Sequence, residues 1–438
     1  MKILYLTCLE NIIDNGIYET QVKQLLFKLK KLYGNKINLT HLSAQPFAKL
    51  GKVGIASNLI GNKEKLKILK EDFRSNSVSI KLMYLPVILL KRWGSYLNIP
   101  LLLWFLSTFL PLLFVEIKRK KYDVVHCRSY LSTLSMILIK PFCKNLKIVF
   151  DVRGLYPEEG IVRGRWKYDS PTYKIWKRIE KRILLNSDIS IGLSDTFVNY
   201  LNSIAPNGNY SLVYASVDLN KYSLKNELRS SLKKQLKLEK NIVFVYNGSL
   251  GAWHDPVLLG NLFKSIKKNC LNSKLLILTK FSKPKLIEIL SNLQISKKDY
   301  TILDCNPHEM PKYLQIGDYG LVPLRENISN NGMKVIAETM IGLKVSEYLS
   351  CGLPIIVNGY IKGIRSLIEK FKIGVYFDIE KPIDLQKGIN FMNNHYSRYR
   401  SDCLHVAKNY YNLDKAAFSY YKIYNQLNEG DARVGISR

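Results

Sequence analysis

Acidic residues are scarce in this chain: 35 Asp and Glu stand against 66 Lys and Arg, a formal charge of +31 over 438 residues. Such a surplus attracts phosphate, whether of nucleic acid, anionic lipid or a nucleotide, so charge alone does not choose a partner. Cysteine is sparse and unpatterned. The seven residues (Cys8, Cys127, Cys143, Cys270, Cys305, Cys351, Cys403) form no CxxC pair and are odd in number. This argues against a disulfide framework and for thiols buried as small apolar groups in a reducing compartment. No low-complexity tract or short repeat interrupts the chain, and neither the aromatic strand pattern nor the helix-turn-helix signature of nucleic-acid binders is present. Met1 to Leu6 carries one lysine and then a short apolar run, which reads as a first buried strand and not as a signal peptide.

What is present fits a folded protein of two domains. The length exceeds one compact core. Hydrophobic residues at 47% supply sizeable cores, and charged residues at 23% argue against disorder. Residues 1–150 hold 24 Lys and Arg against 8 Asp and Glu, so +16 of the charge sits in about a third of the chain.

Short apolar strands alternate with helical stretches. Lys2–Thr7, Asp123–His126, Lys147–Asp151 and Ser187–Ser194 read as strands, with helices over Thr20–Lys31, Leu131–Ile139 and Pro171–Leu185 between them. The pattern restarts near residue 240: strands Asn241–Tyr246, Leu275–Leu278 and Tyr319–Pro323, with a helix over Pro256–Asn269. Leu219–Lys240, rich in Lys, Asn, Ser and Leu, reads as a linker without a strand of its own. Strands separated by helices imply parallel βαβ units, with ligands at the strands' carboxyl ends.

The most informative run is Lys344 to Pro354, followed by the β-branched Ile355-Ile356-Val357-Asn358. Lys344 and Glu347 share one helix face, Gly352 ends the helix and Pro354 keeps it ended. A helix that opens with lysine and carries a carboxylate one turn in can hold a phosphate and a sugar diol, the two ends of a nucleoside diphosphate. An amphipathic helix before a strand is also ordinary α/β punctuation. At the strand ends of the first half, His126 is a candidate for sugar contact or proton transfer, or else a packed neutral histidine. Asp151 and Arg153 are candidates for catalysis and phosphate binding, or else a local ion pair. Glu158 and Glu159 can be catalytic carboxylates, although neighbours point apart and a solvated face is expected for at least one. Gly16, in the first strand-to-helix turn, permits close approach of a sugar or phosphate, as turn chemistry alone would also explain.

Taken together, Lys344–Pro354 (K-x-x-E-Y-L-x-x-G-x-P), Asn247-Gly248-Ser249-Leu250-Gly251, Ser187–Ser194, Val213–Tyr222 and Phe150–Glu159 resemble the family-four glycosyltransferases, in the sub-group that builds bacterial surface polysaccharides. The resemblance implies the α/β GT-B fold, two Rossmann-like domains facing each other across a cleft. It implies residues 1–218 as the acceptor-binding domain, 219–404 as the nucleotide-sugar-binding domain, and a helix within 405–438 packing back on the first. Glu347 would hold the ribose hydroxyls, and Lys344, the helix start and the Gly248-Ser249 loop the diphosphate. No DxD motif is present, and no cofactor or metal is expected, the nucleoside-diphosphate sugar being a substrate. Transfer would proceed with retention, onto a polyprenyl-diphosphate-linked saccharide.

Two departures stand out. Thr339 lies eight positions before Glu347, where many members carry a second glutamate, so a donor-sugar contact falls to Glu338 if to any residue. Ser249–His254 stands where the family has an arginine–lysine pair, leaving Lys280 or Arg325 to supply that charge. Two other function classes stay open: a nucleotide-sugar epimerase of the same architecture, and a basic nucleic-acid-binding protein, although no nucleic acid is expected.

Ile99–Val115 is almost wholly apolar, contains Pro100 and Pro111, and is flanked by Lys91-Arg92 and Lys118–Lys121. It is short for a span, and basic flanks on both sides assign no orientation. A core helix, an interfacial segment and a true span are all open. The functional version is peripheral attachment at the inner, cytoplasmic face of an anionic plasma membrane, with Trp93 and Trp104 beside a lipid-linked substrate.

Overall fold

The computed structural model describes residues 1–50, 63–90 and 99–430, apart from 144, 224, 252, 307, 326–330, 340, 360 and 378–381. The chain divides into two compact units: Met1–Val213 with the chain from Ala417 onward, and Tyr214–Ala416.

The first unit is built on seven strands: β1 (Lys2–Cys8), β2 (Asn38–Leu50), β3 (Ser79–Leu90), β4 (Val124–Arg128), β5 (Lys147–Asp151), β6 (Ile189–Gly192) and β7 (Tyr210–Leu212). Their order is β3-β2-β1-β4-β5-β6-β7, and every pairing is parallel. The second unit repeats the scheme with β8 (Ile242–Asn247), β9 (Ser273–Leu278), β10 (Tyr300–Leu303), β11 (Tyr319–Val322), β12 (Ile355–Asn358) and β13 (Gly374–Phe377), ordered β10-β9-β8-β11-β12-β13. Parallel strands need helical crossovers, which cover both faces of each sheet and explain the uninterrupted apolar runs in β1 and β8. Both units are therefore α/β and Rossmann-like. In such a sheet the strand order reverses between the first and fourth strands, here β1/β4 and β8/β11, and a crevice opens at their carboxyl ends.

Several elements depart from the sequence reading. The first helix starts at Gly16 and continues to Tyr33, widened over Glu19–Lys23 to i→i+5 bonding. Leu219–Lys240 is no bare linker: it holds helices Leu219–Tyr222 and Asn226–Gln235, whose Arg229 and Lys233 both pair with Asp318. Toward the C-terminus the helix Tyr396–Tyr410 runs across residue 405, and the helix Leu413–Glu429 follows it. Glu158 and Glu159 are not on a solvated face. Glu158 is buried, accepting from Tyr173, Tyr200 and Lys177, and Glu159 is half-buried near Arg163.

Close backbone approach is decided at one strand glycine in particular. A Cβ on Gly374 would lie 2.0 Å from the Ile355 carbonyl oxygen in the neighbouring strand. Gly374→Ala is expected to destabilise the chain by about 3 kcal/mol, because backbone cannot move aside as a side chain can. Thermal and urea melts check this; an unchanged melt would mean that β12 and β13 are not paired in this register.

Candidate active site

In the second unit the helix Leu343–Ser350 begins at Gly342 and ends as its sequence dictates. Gly352 takes φ +67°, its N–H bonds to the Leu349 carbonyl (2.9 Å), and the Leu353 N–H reaches back to Tyr348 (3.0 Å). This double bond closes the last turn, which only a residue tolerant of positive φ allows cheaply. The helix start is thereby aimed at the loop after β8. Tyr348 fixes that relation: its hydroxyl accepts from the Asn247 N–H (3.0 Å) and donates to the Leu321 carbonyl (3.1 Å), linking the ends of β8 and β11. Its ring lies where a Cβ on Gly320 would come within 2.5 Å.

Glu347 is buried, and each carboxylate oxygen receives one neutral donor. Oε1 accepts from the Tyr222 hydroxyl (3.0 Å) and Oε2 from the Asn247 side-chain amide (2.6 Å). Burial raises its pKa, and these two hydrogen bonds with the charge of Lys344 oppose the rise. Each oxygen keeps a further lone pair.

Lys344 shares the face of Glu347 but is engaged elsewhere. Its Nζ stands 4.6 Å from the centroid of the Tyr246 ring and 3.4 Å from the Tyr246 hydroxyl. It also lies 3.1 Å from where a Cβ on Gly248 would be, so the glycine leaves room for the amine. Gly248 has φ +105° and Ser249 is exposed. Burial lowers the Lys344 pKa to about 7, only partly offset by Glu347. His254 is held neutral, its pKa lowered to about 3 by burial and then by Lys344, while Nδ1–H donates to the Pro323 carbonyl (3.0 Å).

The other residues expected at the donor have the following surroundings. Lys280 is exposed beyond β9 with no ion pair among the described residues, as a solvated lysine would be. Arg325, 44% exposed, is paired through Nε with Asp255 (3.2 Å), which itself caps the helix Pro256–Asn269. Glu338 is bound to Lys362 (2.8 Å) on an exposed face. Gly16 takes no positive φ; it opens a helix capped by the Asn15 side chain (3.0 Å to the Ile17 N–H), so ordinary turn chemistry accounts for it.

In the first unit His126, Asp151 and Arg153 do meet. Asp151 Oδ2 accepts from His126 Nε2–H (3.1 Å) and from Arg153 Nε (2.6 Å). Burial would raise the Asp151 pKa, but Arg153 and His126 hold it well below the carboxylate range. His126 is fully buried and kept neutral by burial, with Nδ1 accepting from the Tyr424 hydroxyl (2.8 Å) and Tyr5 stacked on the ring at 4.3 Å. Both nitrogens are committed and no face is open, which corrects the expected sugar contact and proton transfer: the packed-histidine alternative is the one realised. Arg153, at φ +55°, donates to the Tyr420 hydroxyl (2.6 Å) and shares Gln21 with Arg128, itself paired with Glu10 (3.0 Å). The local ion-pair alternative is therefore the arrangement seen, with the Arg153 side chain 10% exposed.

Sequence reasoning did not assign Asn247, Tyr222 and His254. Each stands inside a segment already singled out, but the partner that gives it a role is far away in the chain.

Two protein-family descriptions match the sequence: "Glycosyl transferases group 1" over residues 229–407 and "Glycosyltransferase Family 4" over residues 82–221. No curated protein matches the chain in sequence at a significant level. Solved structures share the fold. HepE of Anabaena, in complex with UDP, is 13% identical with a TM-score of 0.68, over 97% of this chain and 100% of that one. A sucrose-phosphate synthase from Thermosynechococcus elongatus gives 13% and 0.69, covering 98% and 100%. WaaG, a glycosyltransferase involved in lipopolysaccharide biosynthesis, gives 12% and 0.59, covering 95% and 98%. The chain is a glycosyltransferase of the GT-B class. Each half of the chain matches one glycosyltransferase family description, the first that of family four and the second that of group 1.

Glu347→Ala would leave the Asn247 amide and the Tyr222 hydroxyl buried without an acceptor, at a cost of about 2–4 kcal/mol. Glu347→Gln, which keeps an acceptor and the shape, is expected to cost less than half as much. Chemical denaturation of both variants checks this; equal losses would mean that the carboxylate does not receive these bonds.

Proposed function

We propose that the protein transfers a sugar, with retention, from a nucleoside-diphosphate sugar to a saccharide acceptor on a polyprenyl diphosphate, in bacterial surface polysaccharide synthesis. The observation that carries the donor half is the Glu347 carboxylate, oriented by Tyr222 and Asn247 one helical turn from an amine that lies over Gly248. The ribose diol would donate to the two free carboxylate lone pairs. The diphosphate would lie against Lys344, the helix start and the Gly248-Ser249 backbone, without a metal. Support for the ligand class comes from HepE, whose structures hold UDP and UDP-glucose. Support for the polysaccharide setting comes from WaaG and its lipopolysaccharide role. Both family matches are to transferases, which favours transfer over epimerisation and over nucleic-acid binding.

In the reaction the bond from the anomeric carbon to the leaving phosphate oxygen breaks. The acceptor oxygen forms the new bond on the same face, and its proton passes to the departing phosphate. Positive charge beside that phosphate lowers the barrier, because negative charge grows there in the transition state. Arg153, two residues beyond β5 and 10% exposed, is the candidate in the first unit for an anionic group of the acceptor.

Binding of UDP, GDP, dTDP or ADP is expected to raise the melting temperature for at least one base, and Glu347→Ala to abolish that shift. No shift with any of the four would refute the donor assignment.

The same site makes a pH prediction. With its pKa lowered to about 7, free Lys344 is mostly neutral above that pH, and an incoming diphosphate restores the proton. Affinity should therefore fall as pH rises from 7 to 9, with close to one proton taken up per nucleotide near pH 8. Calorimetry in buffers of different ionisation enthalpy measures this. Lys344→Met should remove the uptake, and uptake that persists in it would place the titrating group elsewhere.

A further inference from the structure

The helix Ile99–Lys120 is long and apolar enough to cross a membrane, with a mean hydropathy of 1.9, yet only 33% of its apolar window is buried. Its buried residues, Leu102, Phe105, Phe109, Leu113, Glu116 and Ile117, form one stripe against β3 and the helix Ser129–Ile139. Glu116 is tied into the unit by Lys81 (2.5 Å) and Tyr122 (3.2 Å). One face thus belongs to the domain core, as in the core-helix alternative.

The opposite stripe is the anomaly. On a soluble domain it should be polar, and instead it exposes Leu103 (61%), Trp104 (53%), Leu112 (46%) and Val115 (62%). Phe142, 66% exposed, stands beside it with its ring 6.2 Å from that of Phe114. No described residue covers this ridge; Trp93, Lys91 and Arg92 lie outside the described residues. One turn on, the stripe continues into Lys118 and Arg119, followed by Lys120 and Lys121. Lys118, Lys120 and Lys121 have no ion pair among the described residues. Lys118 and Lys121 also line a cleft of about 860 Å³ shared with Phe142 and Lys147.

We infer that this ridge is a docking face for an anionic bilayer: the apolar stripe lies in the headgroup–acyl boundary and the lysine cluster meets lipid phosphate. Charge complementarity selects the occupant. A protein partner would need acidic groups facing four basic residues, whereas an anionic leaflet presents phosphate along the whole edge. Trp104 suits the interface, an apolar ring with a polar tip whose indole N–H already donates to the Pro86 carbonyl (2.8 Å). The inference deepens the proposed function, since a lipid-linked acceptor has to be reached at a membrane, and it rests on that reading for its purpose though not for its evidence.

Co-sedimentation of the full chain with phosphatidylcholine vesicles, with and without phosphatidylglycerol, tests it. The parent should favour anionic vesicles on the order of a hundred-fold and release with salt. Leu103→Ser/Leu112→Ser/Val115→Ser and Lys118→Gln/Lys120→Gln/Lys121→Gln should each lose at least about ten-fold. A nucleotide thermal shift on the same samples shows that the variants are folded and separates the two proposals. Vesicle binding lost with the shift intact marks the face alone, and an absent shift in the parent counts against the donor site alone. Failure of the parent to bind, variants that bind as the parent does, or a dimer in light scattering that the serine variant dissolves would overturn the inference.

Discussion

A carboxylate that burial would otherwise neutralise is the constraint on which the second unit turns. Glu347 sits where desolvation disfavours its charge, and two neutral donors from distant segments, Tyr222 and Asn247, hold it. Both donors are on structural elements, one at the end of a short helix and one at the end of β8. Satisfying the acid therefore fixes the Leu343–Ser350 helix against the sheet. Lys344 is placed as a consequence: with the helix pinned at Glu347 and Tyr348, its amine has little room except over Tyr246 and Gly248. A depressed amine and an anchored acid are then two outcomes of one packing arrangement.

The first unit solves the same strand-end problem in the opposite way. Its charges are matched locally, Arg153 to Asp151 and Arg128 to Glu10, and its histidine is sealed between Asp151, Tyr5 and Tyr424. A set of compensated buried pairs is rigid but attracts no anion strongly, because each charge is already answered. Lys344, by contrast, has no carboxylate partner at hydrogen-bond distance among the described residues and lies against Gly248. Among the strand-end charges described, Lys344 of the second unit is the one left without a matching carboxylate.

What could be read from the sequence follows from locality. Strands such as β1, β4, β5 and β8 are near-continuous apolar runs, and the helix before Gly352 carries its own stop signal, so both were legible, together with Lys344 and Glu347. β2 was not, because His41, Ser43, Gln45 and Pro46 break its apolar pattern. His41 and Ser43 are buried there only because Thr7 and Tyr18 complete their hydrogen bonds. Tyr222 and Asn247 lie 125 and 100 residues before Glu347, so no window of sequence shows that they meet it. Between the alternatives for His126 the sequence could not choose for the same reason: the strand end was visible, and Tyr5 and Tyr424, which pack on the ring, are distant in the chain.

The charge excess of the first third of the chain has to be placed somewhere, and the strand ends do not absorb it. Arg128, Arg153 and Lys23 are all paired, which leaves the surplus on the surface, in the run Lys118–Lys121 and along the helix Lys63–Ser75, where Lys63, Lys67, Lys70 and Arg74 line a shallow groove. At physiological salt a surface charge acts over about 8 Å, so scattered lysines do not sum into a distant field and their effect depends on what lies within a side chain's reach. The Lys118–Lys121 cluster adjoins the exposed stripe of Leu103, Trp104, Leu112 and Val115. Basic residues beside apolar surface gain from both contacts at once at an anionic bilayer, and gain from neither in water. That coincidence, and not the total charge, distinguishes this face from the rest of a basic protein.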